Sequence, residues 1–314
     1  MHPALSVIVF TTATGAGYGL LVWLGVFAAG GMLPRNPWFA LVSLGIALAL
    51  ITGGLLSSTL HLGRPERAWR AFSQWRSSWL SREGVASTVT YVPAGLFVLG
   101  WVVYGRTDGA VAWAGLLVAA CAVAAVVTTG MIYASLKPIA QWNTPYTMPG
   151  YVIYALMSGA VLLNAMLHMA QSESRTISWI AFGLVAVGWF WKNLTWHHNE
   201  SLTSSTTLNS ATGLAGGEVR SIEWPHSEEN YLLKEMGYRV ARKHAAKLRI
   251  FVHVLAFGVP LAATEIAILS DGWLAASAAV LAAVAVIPGL LVERWLFFAE
   301  AKHTVALYYG RQAA

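Results

Sequence analysis

Apolar runs long enough to cross a bilayer alternate with polar breaks along almost the whole of this 314-residue chain. A helix needs about 20 mostly apolar residues to span the hydrocarbon core. By that measure the pattern predicts eight spans, at approximately 5–33, 38–62, 85–105, 110–136, 148–170, 177–196, 248–270 and 273–300. Most breaks are a few residues. Two are long: 63–84 after the second span and 197–247 after the sixth. The expected fold class is all-α, a polytopic membrane protein with one integral membrane domain over residues 1–314, those two loops being its polar parts.

The chain is 57% hydrophobic and only 11% charged, with 29 glycines and 15 tryptophans. This excludes a soluble domain, in which about a quarter of the residues are charged. The opening MHPALSVIVF has no Lys or Arg before its apolar run. It lacks the basic start of a cleaved signal and is expected to stay as the first span. Thr14, Gly15, Gly17 and Gly19 in span one, and Gly53 and Gly54 in span two, are small residues that let helix backbones approach closely. A weak echo, TGA at 14–16 and SGA at 158–160, suggests that spans one and five correspond and that the bundle is two four-helix halves. The single cysteine, Cys121, lies mid-span. One thiol can neither close a disulfide within the chain nor hold an iron–sulfur cluster.

An even number of spans puts both termini on one side, with the loops after spans two, four and six. Sixteen Lys and Arg fall there, counting from Lys192 in the third of those loops, against Arg35, Arg106 and Arg175 opposite. Cytoplasmic loops carry the basic excess, so the termini and both long loops are expected on the cytoplasmic face of the inner membrane. In the second long loop, 201–217 is small, polar and glycine-rich and reads as linker or surface loop. Residues 229–249 read as a basic helix leading into span seven. That helix is either a lipid-headgroup anchor or a platform for a soluble partner.

The first long loop carries the candidate chemistry. From His61 to Gly84 there are five arginines, two glutamates, a histidine and three tryptophans. Pro65 suits the first position of a helix. Trp69, Phe72, Trp75 or Arg76, and Trp79 then recur at helical spacing, as in an amphipathic helix lying in the membrane interface. Ser81 is placed to cap span three, leaving Glu83 in its first turn, where the helix dipole alone favours a carboxylate. His61 ends span two at the same face. If the two helices are neighbours, an imidazole and a carboxylate converge at the membrane boundary. Quinone chemistry requires such groups, because a quinol loses two protons with its two electrons. A structural interfacial histidine is the other reading of His61.

His61-Leu62-Gly63-x-Pro65, Ala68-Trp69-x-Ala71 and Ser78-Trp79-Leu80-Ser81-Arg82-Glu83 together resemble the signature of the dimethyl sulfoxide reductase membrane-anchor family. So do Asn230-Tyr231-Leu232-Leu233-Lys234-Glu235-Met236-Gly237 and Ala241-Arg242-Lys243-His244, and the resemblance covers essentially the whole chain. It implies a quinone-reactive subunit with no metal of its own, partnered by a molybdopterin catalytic subunit and a four-cluster iron–sulfur subunit. It further implies that His61, Arg67 and Glu83 belong to a site for quinone (ubiquinone or menaquinone), beneath the nearest cluster of the partner. Arg64, Trp75 and Trp79 complete the candidate set. Arg64, Arg67, Arg70 and Arg76 are suited both to orient quinone carbonyls and to pair with acidic patches on that partner. One feature departs from the dimethyl sulfoxide reductase pattern, whose catalytic subunits lie outside the cytoplasmic membrane. Here the charge count puts the site inside, as in the related sulfite dehydrogenases, which oxidise sulfite and reduce quinone.

Other titratable residues are open to two readings. His253 and His303 lie toward the same face and could ligate a b-type haem, against which the resemblance argues. Glu265 and His168 belong toward the far face. Glu293 and Arg294 are placed to pair near the end of span eight, and Lys137 and Arg249 to anchor in the interface. A small-solute transporter is the alternative class, but transporters carry inverted repeats and midplane polar groups, whereas these ionisable residues crowd one face. The expected partners are the two soluble subunits, quinone and membrane lipid, and no nucleic acid.

Overall fold

The structure, a computed structural model, describes residues 5–60, 62–202, 207–214, 216–220, 222–223 and 243–307. It contains eight helices long and apolar enough to cross a membrane: α1 Leu5–Ala29, α2 Pro37–Thr59, α3 Trp79–Val103, α4 Ala110–Ala134, α5 Thr147–Met169, α6 Arg175–Ser201, α7 Ala245–Leu269 and α8 Gly272–Ala299. Helices suit these sequences because lipid offers nothing to backbone N–H and C=O groups, so each span must satisfy its own. The largest shift from the expected boundaries is at α3, which starts at Trp79 rather than near residue 85. α6 also runs past residue 196 to Ser201. Part of α7, Val252–Gly258, is π-helical and leads into Pro260, which has no N–H to give the ladder.

The helices form two halves. In the first, α1 packs on α2 and α4, and α3 packs on α4; in the second, α5 packs on α6 and α8, and α7 on α6 and α8. The halves meet along α1 and α5, flanked by contacts of α4 with α5 and α1 with α8. Helices one and five therefore occupy equivalent places, as the echo suggested, though its own glycines do not make the equivalence. Gly15 faces open space, whereas a Cβ on Gly19 would lie 1.7 Å from the Ala155 carbonyl oxygen and one on Gly159 would lie 2.1 Å from the Gly19 carbonyl carbon. Trp23 Nε1 crosses the same seam to donate to Leu156 O at 2.8 Å. Within the first half, Gly25 and Gly115 bring α1 and α4 equally close, a Cβ on Gly25 lying 2.1 Å from Gly115 O. Helices in lipid have no hydrophobic drive to associate, so this close fit is what holds the halves together.

α2 and α3 touch mainly away from the arginine-rich end. Trp101 Nε1 donates to Pro34 O at 3.2 Å, the Trp101 ring lies 6.0 Å from Phe39, and Thr52 Oγ1 and Tyr91 OH are 2.7 Å apart.

Any Cβ at Gly159 must push two backbones apart. Gly159→Val is expected to destabilise the detergent-solubilised protein by at least the roughly 1–3 kcal/mol of an overpacked core, and Gly45→Ala, where nothing lies within 4 Å, to leave it within experimental error. Thermal unfolding of the two variants side by side checks this.

Candidate functional site

The short helix expected from Pro65 onward is present over Pro65–Gln74, and its form is 3-10. In a 3-10 helix residues three apart eclipse one another, and Trp69, Phe72 and Trp75 stand at that interval. The helical spacing therefore fits the tighter form. Trp69 and Trp75 are 66% and 52% exposed. Arginines stack beside the tryptophans of this stretch: Arg70 at 5.6 Å from the Trp69 ring, Arg76 at 5.4 Å from Trp75 and Arg82 at 4.2 Å from Trp79. Phe72, though 42% exposed, lies against Gly84, where an added Cβ would meet its ring at 3.4 Å.

The SWLSRE stretch straps this segment onto α3. Ser81 does not cap the helix: the cap position is Ser78, which makes no side-chain capping bond. Ser81 Oγ instead donates to Ala71 O. Arg82 donates from Nε to Trp75 O at 3.0 Å and from Nη2 to Arg76 O at 2.7 Å. The two Arg82 donors serve carbonyls just past the end of the helix, which it leaves without partners.

The early start of α3 carries Glu83 past the first turn, where the helix dipole alone would favour a carboxylate, and into the bundle. It is 5% exposed. Thr129 Oγ1 of α4 donates to Glu83 Oε1 at 2.5 Å and also lies 3.0 Å from Ala125 O. One hydroxyl proton cannot serve both acceptors at once, so the pair is fully satisfied only when the carboxyl carries a proton of its own. A buried carboxyl with one hydrogen-bond partner is costly, and inside a membrane helix it is a functional candidate by default.

The candidate residues thus fall into two layers. Arg64, Arg67 and Trp75 are exposed on the outer segment, with Arg67 Nε 4.0 Å from Glu66. Trp79 is half-buried at the first position of α3, and Glu83 lies beneath. His61 lies outside the described residues, as do residues 230–242 of the second motif. The 201–217 linker holds one helical turn, Leu208–Thr212, capped by Thr207.

Beside Thr129 a small cleft of about 20 Å³, room for about one water, lies between the halves, lined by Thr12, Tyr18, Tyr151, Tyr154 and Arg294 among others. Sequence reasoning missed it, because hydroxyls scattered through apolar spans read as packing. Arg294 pairs with Glu293 as expected, Nε to Oε2 at 3.1 Å. The surprise is Lys192, counted among the loop charges but buried in α6, with Nζ 2.6 Å from Glu293 Oε1. The three side chains are no more than 5% exposed. The Arg294 guanidinium carbon lies 3.9 Å from the Tyr151 ring centre. The signal for Lys192 was its setting, a lone cation in the aromatic run Trp189-Phe190-Trp191.

His253 and His303 engage different neighbours. His253 Nδ1 accepts from Trp189 Nε1 at 2.8 Å, and the His303 ring sits edge-on to Trp142 at 5.2 Å. His168 is buried in the far half of α5, its Nδ1 2.9 Å from Asn164 O, and Glu265 is exposed. Arg249 is bound to protein, through Nε to Glu300 Oε1 at 2.8 Å and through Nη1 to Glu200.

Fold and site together define a class: an eight-helix membrane bundle with a buried carboxyl near one end of α3, beneath a strapped arginine–tryptophan segment. The model of the DMSO reductase anchor subunit (DmsC) matches residues 1–310, and the chain belongs to that family. It is 32% identical to the C subunit of the sulfite dehydrogenase of Allochromatium vinosum, over 98% of this chain and 99% of that one. It is 26% identical to the anaerobic dimethyl sulfoxide reductase chain YnfH of Escherichia coli, over 57% of this chain and 63% of that one.

Removing one strap bond costs about 1 kcal/mol, or roughly a fivefold shift toward the open segment. Ser81→Ala is therefore expected to speed tryptic cleavage at Arg70 and Arg76 about fivefold. Ser78→Ala, which removes no bond, is expected to leave the rate unchanged; timed proteolysis of the folded protein measures both.

Proposed function

We propose that this chain is the membrane-anchor and quinone-reactive subunit of a molybdenum and iron–sulfur oxidoreductase complex. It passes electrons between a partner's iron–sulfur clusters and membrane quinone, with sulfite oxidation as the reaction served. The observation that carries the proposal is Glu83: a buried carboxyl at one end of a membrane bundle, bonded to Thr129 and covered by a segment rich in arginine and tryptophan. Likeness to the sulfite dehydrogenase relative across nearly both full lengths favours sulfite over the shorter match to the dimethyl sulfoxide reductase chain. The basic excess of the same end favours a cytoplasmic orientation in the inner membrane, and it survives moving Lys192 into the membrane.

Quinone reduction takes up two electrons and two protons and gives quinol. Glu83 supplies or accepts a proton at a quinone oxygen, with Thr129 holding the carboxyl in position. His61 is the partner group proposed for the other oxygen. Arg64 and Arg67 orient carbonyl oxygens or pair with acidic groups of the iron–sulfur subunit, and Trp75 and Trp79 flank the ring. The chain's single cysteine leaves cluster ligation to the partner. An anchor of a dimethyl sulfoxide reductase-type, quinol-oxidising complex is the second reading, favoured by the family match itself.

General acid–base groups contribute about 10²–10⁴-fold. In the assembled complex, Glu83→Gln and His61→Ala are expected to lower quinone-linked turnover by at least a hundredfold. Subunit assembly and substrate oxidation by an artificial acceptor should persist. Normal quinone turnover in both variants would sink the site assignment.

A further inference from the structure

At the end of the bundle opposite Glu83, four helices of the second half enclose a cavity of about 130 Å³. α5 and α7 end there, and α6 and α8 begin there. Its lining includes His168, Glu173, Arg175, Ser178 and Asp271. The space is roughly ten times what one water needs.

His168 is 4% exposed. Its Nδ1 lies 2.9 Å from Asn164 O, which can only accept, so Nδ1 carries the hydrogen. In the neutral ring Nε2 is then an acceptor, and it has no partner among the described residues. Buried polar atoms are normally paired, so the cavity is shaped to hold a donor. Glu173, Arg175 and Asp271 are exposed at the same cavity, yet none of them forms an ion pair or side-chain hydrogen bond among the described residues. Asp271 is the N-cap residue of α8 and makes no capping bond, which leaves its carboxylate uncommitted.

These groups select a ligand of both signs. Two carboxylates oppose a bare anion, and a guanidinium opposes a bare cation. Among the described residues no three acids, imidazoles or thiols are grouped to hold a metal ion. The cavity also stands at the height of the lipid headgroups. Trp179 and Trp273, both exposed near the starts of α6 and α8, are of the kind that settles at that level, and Leu269 at the end of α7 is exposed beside them.

We infer that this cavity binds the headgroup of a zwitterionic phospholipid with a primary ammonium, a phosphatidylethanolamine. The ammonium donates to His168 Nε2 and to the carboxylates of Asp271 and Glu173. The phosphate is held by Arg175 at the start of α6, where the helix dipole favours an anion. A trimethylammonium has no N–H to give, and a glycerol headgroup carries no positive charge, so neither matches the site. The bound lipid ties the α5–α6 connection to the α7–α8 connection. None of this depends on the quinone reading.

The test titrates the delipidated, detergent-purified full chain with dioleoyl phosphatidylethanolamine, phosphatidylcholine and phosphatidylglycerol, and reads retained lipid by native mass spectrometry. Phosphatidylethanolamine is expected to bind about tenfold more tightly than the other two, as a hydrogen bond to a charged group provides. It is expected to stay bound when millimolar O-phosphoethanolamine is added. His168→Phe keeps a ring and removes the acceptor, and is expected to bring phosphatidylethanolamine down to the level of phosphatidylcholine. Asp271→Asn keeps a side chain that suits the N-cap, so it decides the matter if His168→Phe does not fold; it is expected to weaken phosphatidylethanolamine severalfold. Glu265→Gln, exposed on α7 outside the cavity, is expected to change nothing. Equal retention of the three lipids overturns the inference. So does an undiminished preference in His168→Phe, or in Asp271→Asn where the first does not fold. An equal loss in Glu265→Gln overturns it as well, by marking general surface charge. Displacement by O-phosphoethanolamine overturns the lipid as the source and leaves a site for a soluble amine.

Discussion

Lipid solvates no polar group, and the backbone of this protein meets that constraint without strain while its side chains meet it only in part. Each span closes its own hydrogen bonds except where Pro93, Pro260 and Pro288 have no N–H to give, and glycines at 19 and 159 let α1 and α5 touch backbone to backbone. That contact fixes where the halves meet, and so it fixes the cleft bounded by Thr129 on one side and Arg294 on the other. A looser seam would admit lipid or more water. A seam sealed along its whole length would leave no room for the hydroxyls that face one another there.

The charged groups sort by the same constraint. Arginines of the 65–82 stretch lie outside, stacked on tryptophans or bonded to main-chain carbonyls, where exchange of partners is cheap. Lys192, Glu293 and Arg294 lie inside, where removing one member leaves another charge buried alone, at a cost of about 3–5 kcal/mol. A buried cluster of that kind is weak evidence for stability as such, because well-packed apolar side chains hold a bundle as well or better.

Much of this was legible in the sequence. Span number and type followed from apolar run length, since no other backbone form survives in hydrocarbon. The outer layer of the site was legible as well, because arginines and tryptophans between two apolar runs have no structural reason to be so dense. What the sequence concealed were the things that depend on helix order around the bundle. Glu83 read as a first-turn carboxylate at the membrane boundary because Ser81 is placed to cap span three, whereas Ser78 holds the cap position without a capping bond and Ser81 is spent on Ala71. Lys192 read as loop because one lysine near the end of a span is ordinarily free to reach the interface. Here Glu293, about a hundred residues away in sequence on α8, holds it inside.

The two layers also explain why one motif combines unlike tasks. Ser81, itself buried, and Arg82 turn to the 3-10 segment and hold it, while Glu83, the next residue, faces α4 and Thr129. Successive residues on a helix point about 100° apart, so three adjacent positions can reach the covering segment and the bundle interior at once. Moving the start of α3 by one residue would turn Glu83 away from Thr129 and Ser81 away from Ala71 together. The covering segment and the buried carboxyl are thus held in register by a single helix turn. Whatever docks on the arginine–tryptophan surface is set at a fixed height above the carboxyl.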